Sequence, residues 1–157
     1  MLLSSKSIRD LIGEKEIIIE PFDPEFQMKG NSVDIRVSDR YYSYPEYLEP
    51  ELSMLDPKNP YLNLLEKDYI SSDGIVLEPG RFLIINSLEY IKTSEDISIF
   101  LEPKLRISQT GVSILNTGWI DAGFEGNLIL AVKNMNDIPV RIYPEMFIAH
   151  IFFSRIK

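Results

Sequence analysis

The stretch that most constrains this chain is residues 118–134. It reads Gly118-Trp119-Ile120-Asp121-Ala122-Gly123-Phe124-Glu125-Gly126, then Asn127-Leu128-Ile129-Leu130-Ala131-Val132-Lys133-Asn134. An acidic residue sits between apolar neighbours, two glycines bracket an aromatic, and an apolar run follows. Glycine adopts positive φ and lets backbone approach closely. Gly123 and Gly126 therefore predict a β-hairpin that presents Asp121 at a surface and offers Phe124 as a flat face. The residues alone leave two roles open for Asp121: turn-former or reactive carboxylate.

A chain of 157 residues suits one domain, 1–157, with a sizeable core. Cysteine is absent and histidine occurs once, at His150, which rules out disulfides, thiolate sites and zinc sites of the Cys/His kind. Zinc-dependent deamination, which needs such ligands, goes with them. The formal net charge of −8 argues against a nucleic-acid partner, although two or three local Arg or Lys residues can still hold a small anion. The N-terminus lacks the apolar segment of a signal peptide, and no apolar run reaches the roughly 20 residues of a membrane span. A cytoplasmic protein with no membrane partner is the expectation.

Along the chain, Ser4 to Ile12 has helix-start chemistry, with Ile8, Leu11 and Ile12 at helical spacing and Gly13 closing it. Glu16 to Glu20 predicts a short strand, ended by Pro21 and Pro24. The alternation from Asn31 to Val37 predicts a half-buried strand. Residues 38–72 carry Tyr41, Tyr42, Tyr44 and Tyr47 among prolines, and read as extended pieces and turns. That cluster suits either a stacking platform or, preferably, amphipathic packing at a surface or interface. From Ile75 the β signal is dense. Pro79-Gly80 predicts a type II turn, and Leu77-Pro79-Phe82-Leu83 recurs as Ile142-Pro144-Phe147-Ile148. Two such corners fit a two-sheet barrel. Further strands fall at Ile97–Leu101, Gly111–Leu115 and Phe147–Phe153. The fold class is all-β, a sandwich or barrel with one short N-terminal helix. His150, alone in an apolar strand, reads as a core or interface residue.

Residues 118–126 resemble G-x-I-D-x-G-[FWY]-x-G, the hairpin of the dCTP deaminase and trimeric dUTPase family. Met1-Leu2-Leu3-Ser4 with Ile8-Arg9, Pro21-Phe22-Asp23 and the run from Asn31 to Val37 are similar to the deaminase branch, as are both proline corners. The resemblance implies a distorted, jelly-roll-like β-barrel, a homotrimer, and sites for pyrimidine deoxynucleoside triphosphates at subunit interfaces. It further implies that Phe124 packs on the deoxyribose, that backbone of Asn116, Thr117, Gly118 and Trp119 reads the pyrimidine edge, and that Asp121 activates water. Magnesium would be held through the triphosphate, with no direct metal ligand on the protein.

The family's phosphate-binding loop aligns with Pro103-Lys104-Leu105-Arg106-Ile107-Ser108-Gln109-Thr110-Gly111. Lys104, Arg106 and Gln109 are the expected phosphate contacts, while the family's serine has become Leu105. The glutamate that serves as base in cytosine deamination has become Ala131, which cannot do general acid–base work. Glu125 is the nearest substitute in sequence. The family's C-terminal segment, which closes over the phosphates, is absent or very short in a sequence ending at Lys157. Overall similarity implies deamination of dCTP to dUTP. Asp121 with magnesium implies dUTP hydrolysis instead, and a catalytically degenerate nucleotide-binding trimer is the third reading.

Overall fold

The computed structural model describes residues 1–45, 54–58, 64–115 and 118–156. Helix α1 (Ser5–Gly13) starts where the Ser4 hydroxyl accepts the Ser7 amide, and it buries Ile8 and Leu11. The positive φ after it falls on Lys15, at 62°, and not on Gly13. After β1 (Ile17–Glu20) comes a short helix the sequence reading passed over, α2 (Pro24–Gln27). Asp23 caps it by accepting the Glu25 amide at 3.0 Å, and Pro24 stands in its first turn. Both are helix-start signals.

The rest is almost all strand: β2 (Met28–Lys29), β3 (Ser32–Ser43), β4 (Glu66–Tyr69), β5 (Ile75–Leu77), β6 (Phe82–Thr93) and β7 (Ile97–Pro103). After helix α3 (Leu105–Gln109) follow β8 (Val112–Ile114), β9 (Trp119–Ile120), β10 (Glu125–Asn134), β11 (Val140–Ile142) and β12 (Phe147–Arg155). Among the described residues, ten strands curl into one sheet along the path β8-β10-β6-β3-β12-β7-β9, with β1 on β6 and β2 and β4 on β3. The predicted all-β, barrel-like class holds, as a curled half-barrel. Its concave side closes over one cluster that includes Ile8, Ile35, Leu83, Ile85, Leu130, Ile151 and Phe153. Each such side chain contributes about 1.5–3 kcal/mol on burial.

The two proline corners meet. Gly80 has φ 74°, and the Arg81 amide donates to the Glu78 carbonyl at 2.9 Å, as a type II turn requires. At the second corner Glu145 takes φ 63°, where the first has glycine. The arms of the corners pair with each other, Leu77 opposite Val140 and Ile75 opposite Ile142.

β3 differs from its expected half-burial. It lies between β6 and β12, and Ser32 and Asp34 are buried along with Val33 and Ile35. The polar residues of this strand therefore need partners inside the protein. Asp34 takes Lys104 at 2.6 Å. Arg36 donates to Glu89 through both its backbone amide, at 2.9 Å, and its Nε, at 2.7 Å. Gln27 adds a further bond to the Glu89 carboxylate at 3.0 Å.

Two bulges face each other across β6. Val37 pairs with Ser87 and Tyr41 with Ile85, so Ser38, Asp39 and Arg40 all stand opposite Asn86. Asn127 pairs with Tyr90 and Ile129 with Asn86, so Ser87, Leu88 and Glu89 all stand opposite Leu128. In the tyrosine-rich stretch, Tyr41 packs on the core with its hydroxyl 3.1 Å from Asp68, and Tyr44 stacks on Phe82 at 6.5 Å. Tyr47 lies outside the described residues. No helix among them is long and apolar enough to cross a membrane.

Candidate functional site

The segment 118–134 is not the hairpin its glycines predicted. β9 pairs with β7, Trp119 opposite Phe100 and Ile120 opposite Ile99. β10 pairs with β6 and β8. The turn between them crosses from one end of the curled sheet to the other. It is tied down by the Gly123 amide on the Ser94 carbonyl at 3.0 Å and the Thr93 amide on the Phe124 carbonyl at 2.9 Å. Long-range partners on β7 and β6 outcompete the local pairing that turn chemistry favours.

The splay opens a cleft of about 210 Å³ between the two strands. Its walls are Gly118, Trp119, Ile120 and Phe124 on one side and Asn127, Leu128 and Ile129 on the other, with Leu101 below. Gly118, at φ 79°, lets its carbonyl accept the Leu101 amide at 2.7 Å, and a Cβ there would sit 3.2 Å from the Leu101 carbonyl. The structure thus brings together Gly118, Trp119 and Phe124 from the expected site. Leu101, Asn127, Leu128 and Ile129 join them unforeseen. The leucines read as core and are core, buried at 4% and 3% exposure. Only the splay turns them into a floor.

Asp121 stands exposed in the turn, next in sequence to the lining residue Ile120, its Oδ1 accepting the Trp119 indole N–H at 2.9 Å. The Trp119 ring packs edge-on against Phe100 at 4.6 Å. Glu125 is engaged otherwise. Lys92 reaches its Oε2 at 2.8 Å and the Tyr90 hydroxyl its Oε1 at 2.5 Å. The Lys92 ammonium, then the Tyr90 hydrogen bond, hold this carboxyl below the usual carboxylate range. Ala131 lies opposite Ile84, two and four residues along β10 from Ile129 and Asn127, on the same strand face.

The loop expected to hold phosphate sits elsewhere. Lys104 turns inward to Asp34, whose second oxygen, Oδ1, is buried with no partner among the described residues. Arg106 lines a different cleft, of about 200 Å³, with Arg141, Tyr143, Met146 and Ile148. Gln109 is exposed on α3, as is Leu105. Asn116 and Thr117 lie outside the described residues. His150 is half-buried in register between Asp34 and Glu102, its ring 5.1 Å from Phe152. No group of three or more metal-ligating side chains occurs among the described residues.

The curled β-sheet, with its one longer N-terminal helix, is of the dUTPase-like fold class. The comparisons narrow it. The sequence profile described as "dCTP deaminase-like" matches residues 2–156, and the chain belongs to that family. A dCTP deaminase (dUMP-forming) of Persephonella marina is 37% identical over all of this chain and 85% of its own length. The enzyme of the same description from Nanoarchaeum equitans is also 37% identical, with the same two coverages. Among solved structures, the 2'-deoxycytidine 5'-triphosphate deaminase of Agrobacterium tumefaciens superposes with TM-score 0.76 at 23% identity, over 99% of this chain and 48% of that longer one. A dUTPase of Staphylococcus bacteriophage 80alpha gives 0.56 at 17% identity, over 90% of this chain and 85% of its own. These two likenesses concern the fold. The relatives place the family in deoxynucleotide metabolism.

Proposed function

We propose that this protein hydrolyses a pyrimidine deoxynucleoside triphosphate, dUTP in the first place, to the monophosphate and pyrophosphate, with Asp121 as the proton acceptor. The observation that carries the reading is the state of the carboxylates around the cleft. Asp121 is exposed, and its Oδ2 has no partner among the described residues. Glu125 is neutralised between Lys92 and Tyr90, and residue 131 is alanine. A carboxylate that must take a proton from water needs an open lone pair within reach of it. Asp121 has one. The dCTP deaminase activity named for the relatives calls for a base beside the cytosine ring, and the pairing of Glu125 speaks against its serving there.

The walls of the cleft suit a deoxynucleoside. Phe124 offers a face to the sugar. Asp121 Oδ2 would draw the proton from water as its oxygen bonds to the α-phosphorus and pyrophosphate leaves, while the Trp119 indole N–H holds Oδ1 in place. Magnesium bound to the triphosphate would supply charge neutralisation for the departing pyrophosphate. Such an ion would need few protein ligands, since phosphates and water complete its shell.

Among the described residues, no cationic side chain lines the cleft itself. Arg106 and Gln109, on α3, are the expected phosphate contacts, and Arg106 faces a different cleft of the same chain. This separation, with Phe100, Trp119 and Phe152 on the outward side of β9, β7 and β12, supports a homotrimer in which a neighbouring copy brings its α3 to the cleft. A non-catalytic nucleotide-binding trimer is the second reading, favoured by Leu105 and Gln109 where the family's loop has serine and a basic residue.

The test is to incubate the protein with dUTP or dCTP and magnesium and to separate the products by chromatography. dUMP and pyrophosphate should form from dUTP, and Asp121→Asn should slow this by about a hundredfold or more. Efficient conversion of dCTP to a uracil nucleotide would overturn the assignment of the base. Tight binding without turnover would favour the second reading.

A further inference from the structure

We propose that Asn127 is a specificity-determining residue of the cleft: a hydrogen-bond acceptor aimed at a donor on the bound nucleoside. The inference rests on the nucleotide reading above and extends it to a residue outside the hairpin signature.

The argument begins with the bulge. Three residues of β6, Ser87 to Glu89, stand opposite the single residue Leu128 of β10. In a regular ladder each backbone group has a cross-strand partner, and a bulge leaves some without one. Two side chains repair the gap here. The buried Ser87 hydroxyl accepts the Leu128 amide at 2.8 Å and donates to the Glu89 carbonyl at 2.7 Å. The Asn127 side-chain amide donates through Nδ2 to the Ser87 carbonyl at 3.1 Å and to the Leu88 carbonyl at 3.4 Å.

Those carbonyls decide which way the amide points. A carbonyl only accepts, so the nitrogen of Asn127 must face β6 and the oxygen must face away. Turning the amide over would set three oxygens against one another. Oδ1 has no hydrogen-bond partner among the described residues, and Asn127 lines the cleft wall opposite Trp119 and Phe124. Among the described lining residues it is the polar side chain, the others being apolar or glycine. The bulge therefore fixes one acceptor at the border between this apolar cleft and a second cleft lined by Ser38, Asp39, Arg40, Asn86, Ser87 and Leu88. An unmet acceptor there favours a ligand with an N–H or O–H at that point and disfavours one without.

Two donors of a deoxyuridine nucleotide fit this chemistry, the ring N3–H and the sugar 3′-hydroxyl. Calorimetric titrations of wild type and Asn127→Ala with dUTP, N3-methyl-dUTP and 2′,3′-dideoxy-UTP separate them. Wild type should bind dUTP about five- to tenfold more tightly than one of the two donor-less analogues, as expected for one neutral hydrogen bond. In Asn127→Ala that preference should fall to about twofold or less, with thermal melting lowered by the loss of the two bonds to the bulge. The analogue whose preference collapses identifies the donor. An unchanged preference for dUTP over both analogues in the variant would overturn the inference and leave the nucleotide reading intact. Failure of wild type to bind any of the three would refute both. Should Asn127→Ala not fold, isotope-labelled wild type serves instead. The Asn127 side-chain amide resonances should shift with dUTP and shift less with one analogue, and equal shifts with all three would overturn the inference.

Discussion

In the proposed nucleotide site, the cleft between β9 and β10 and the α3 loop differ in what they offer. Among the described residues the cleft has shape without charge, its lining being apolar or glycine apart from Asn127. The loop has charge over a different cleft, and part of that charge is taken up, since Lys104 is committed to the buried Asp34. Arg106 remains, beside Arg141, over a different apolar pocket. A motif can thus align residue by residue while its members take up different work. Lys104 stands at the position of a phosphate-binding cation yet makes an internal ion pair. Substitutions that treat the two regions separately test this division.

The largest effect on stability is expected at Lys104. Removing one partner of a buried pair leaves a charge without compensation, at a cost of about 3–5 kcal/mol when both are enclosed. The Lys104 side chain is 29% exposed against 3% for Asp34, so about 2 kcal/mol is the better figure here. Lys104→Ala should therefore lower the urea midpoint, and Asp34→Asn combined with it should recover part of the loss. A stable Lys104→Ala protein that binds triphosphate poorly would return Lys104 to the site and erase the distinction.

Arg106→Ala should do the opposite. Its folding should change by less than about 0.5 kcal/mol, as for surface positions generally. Triphosphate affinity should drop by about 1–3 kcal/mol, with nucleoside affinity unchanged, if a charge-assisted contact is lost. Equal loss for both ligands would point to a change in the cleft and not in phosphate binding.

The smallest effect is expected at Glu125. Its folded pKa lies below the ordinary value, so its pairing with Lys92 stabilises the fold above the carboxylate's unfolded pKa. That contribution fades as pH falls through the lowered folded value. Both side chains are about half-exposed, so solvent and salt screen the pair. Glu125→Gln should leave turnover near wild type at neutral pH and make the acid-unfolding profile slightly less steep. A large loss of turnover would make Glu125 a participant in the chemistry.

Much of this protein was legible in its sequence because the signals are local. Ser4 caps α1, Pro79-Gly80 turns β5 into β6, and the apolar runs from Ile97 and Phe147 become β7 and β12. Each depends on φ/ψ preference or on neighbours a few residues away. The family pattern around Asp121 and Phe124 likewise sits within nine residues, and the cleft borders it. What only the tertiary structure decided involves partners far apart in the chain. Lys104 meets Asp34 across 70 positions and Gln27 meets Glu89 across 62, and burial forces both, since the buried Asp34, Gln27 and Glu89 must be matched from wherever the fold brings a partner. The same holds for β9 and β10. Their turn is written in Gly123 and Gly126, but whether they pair with each other depends on β7 and β6, which take them as partners instead.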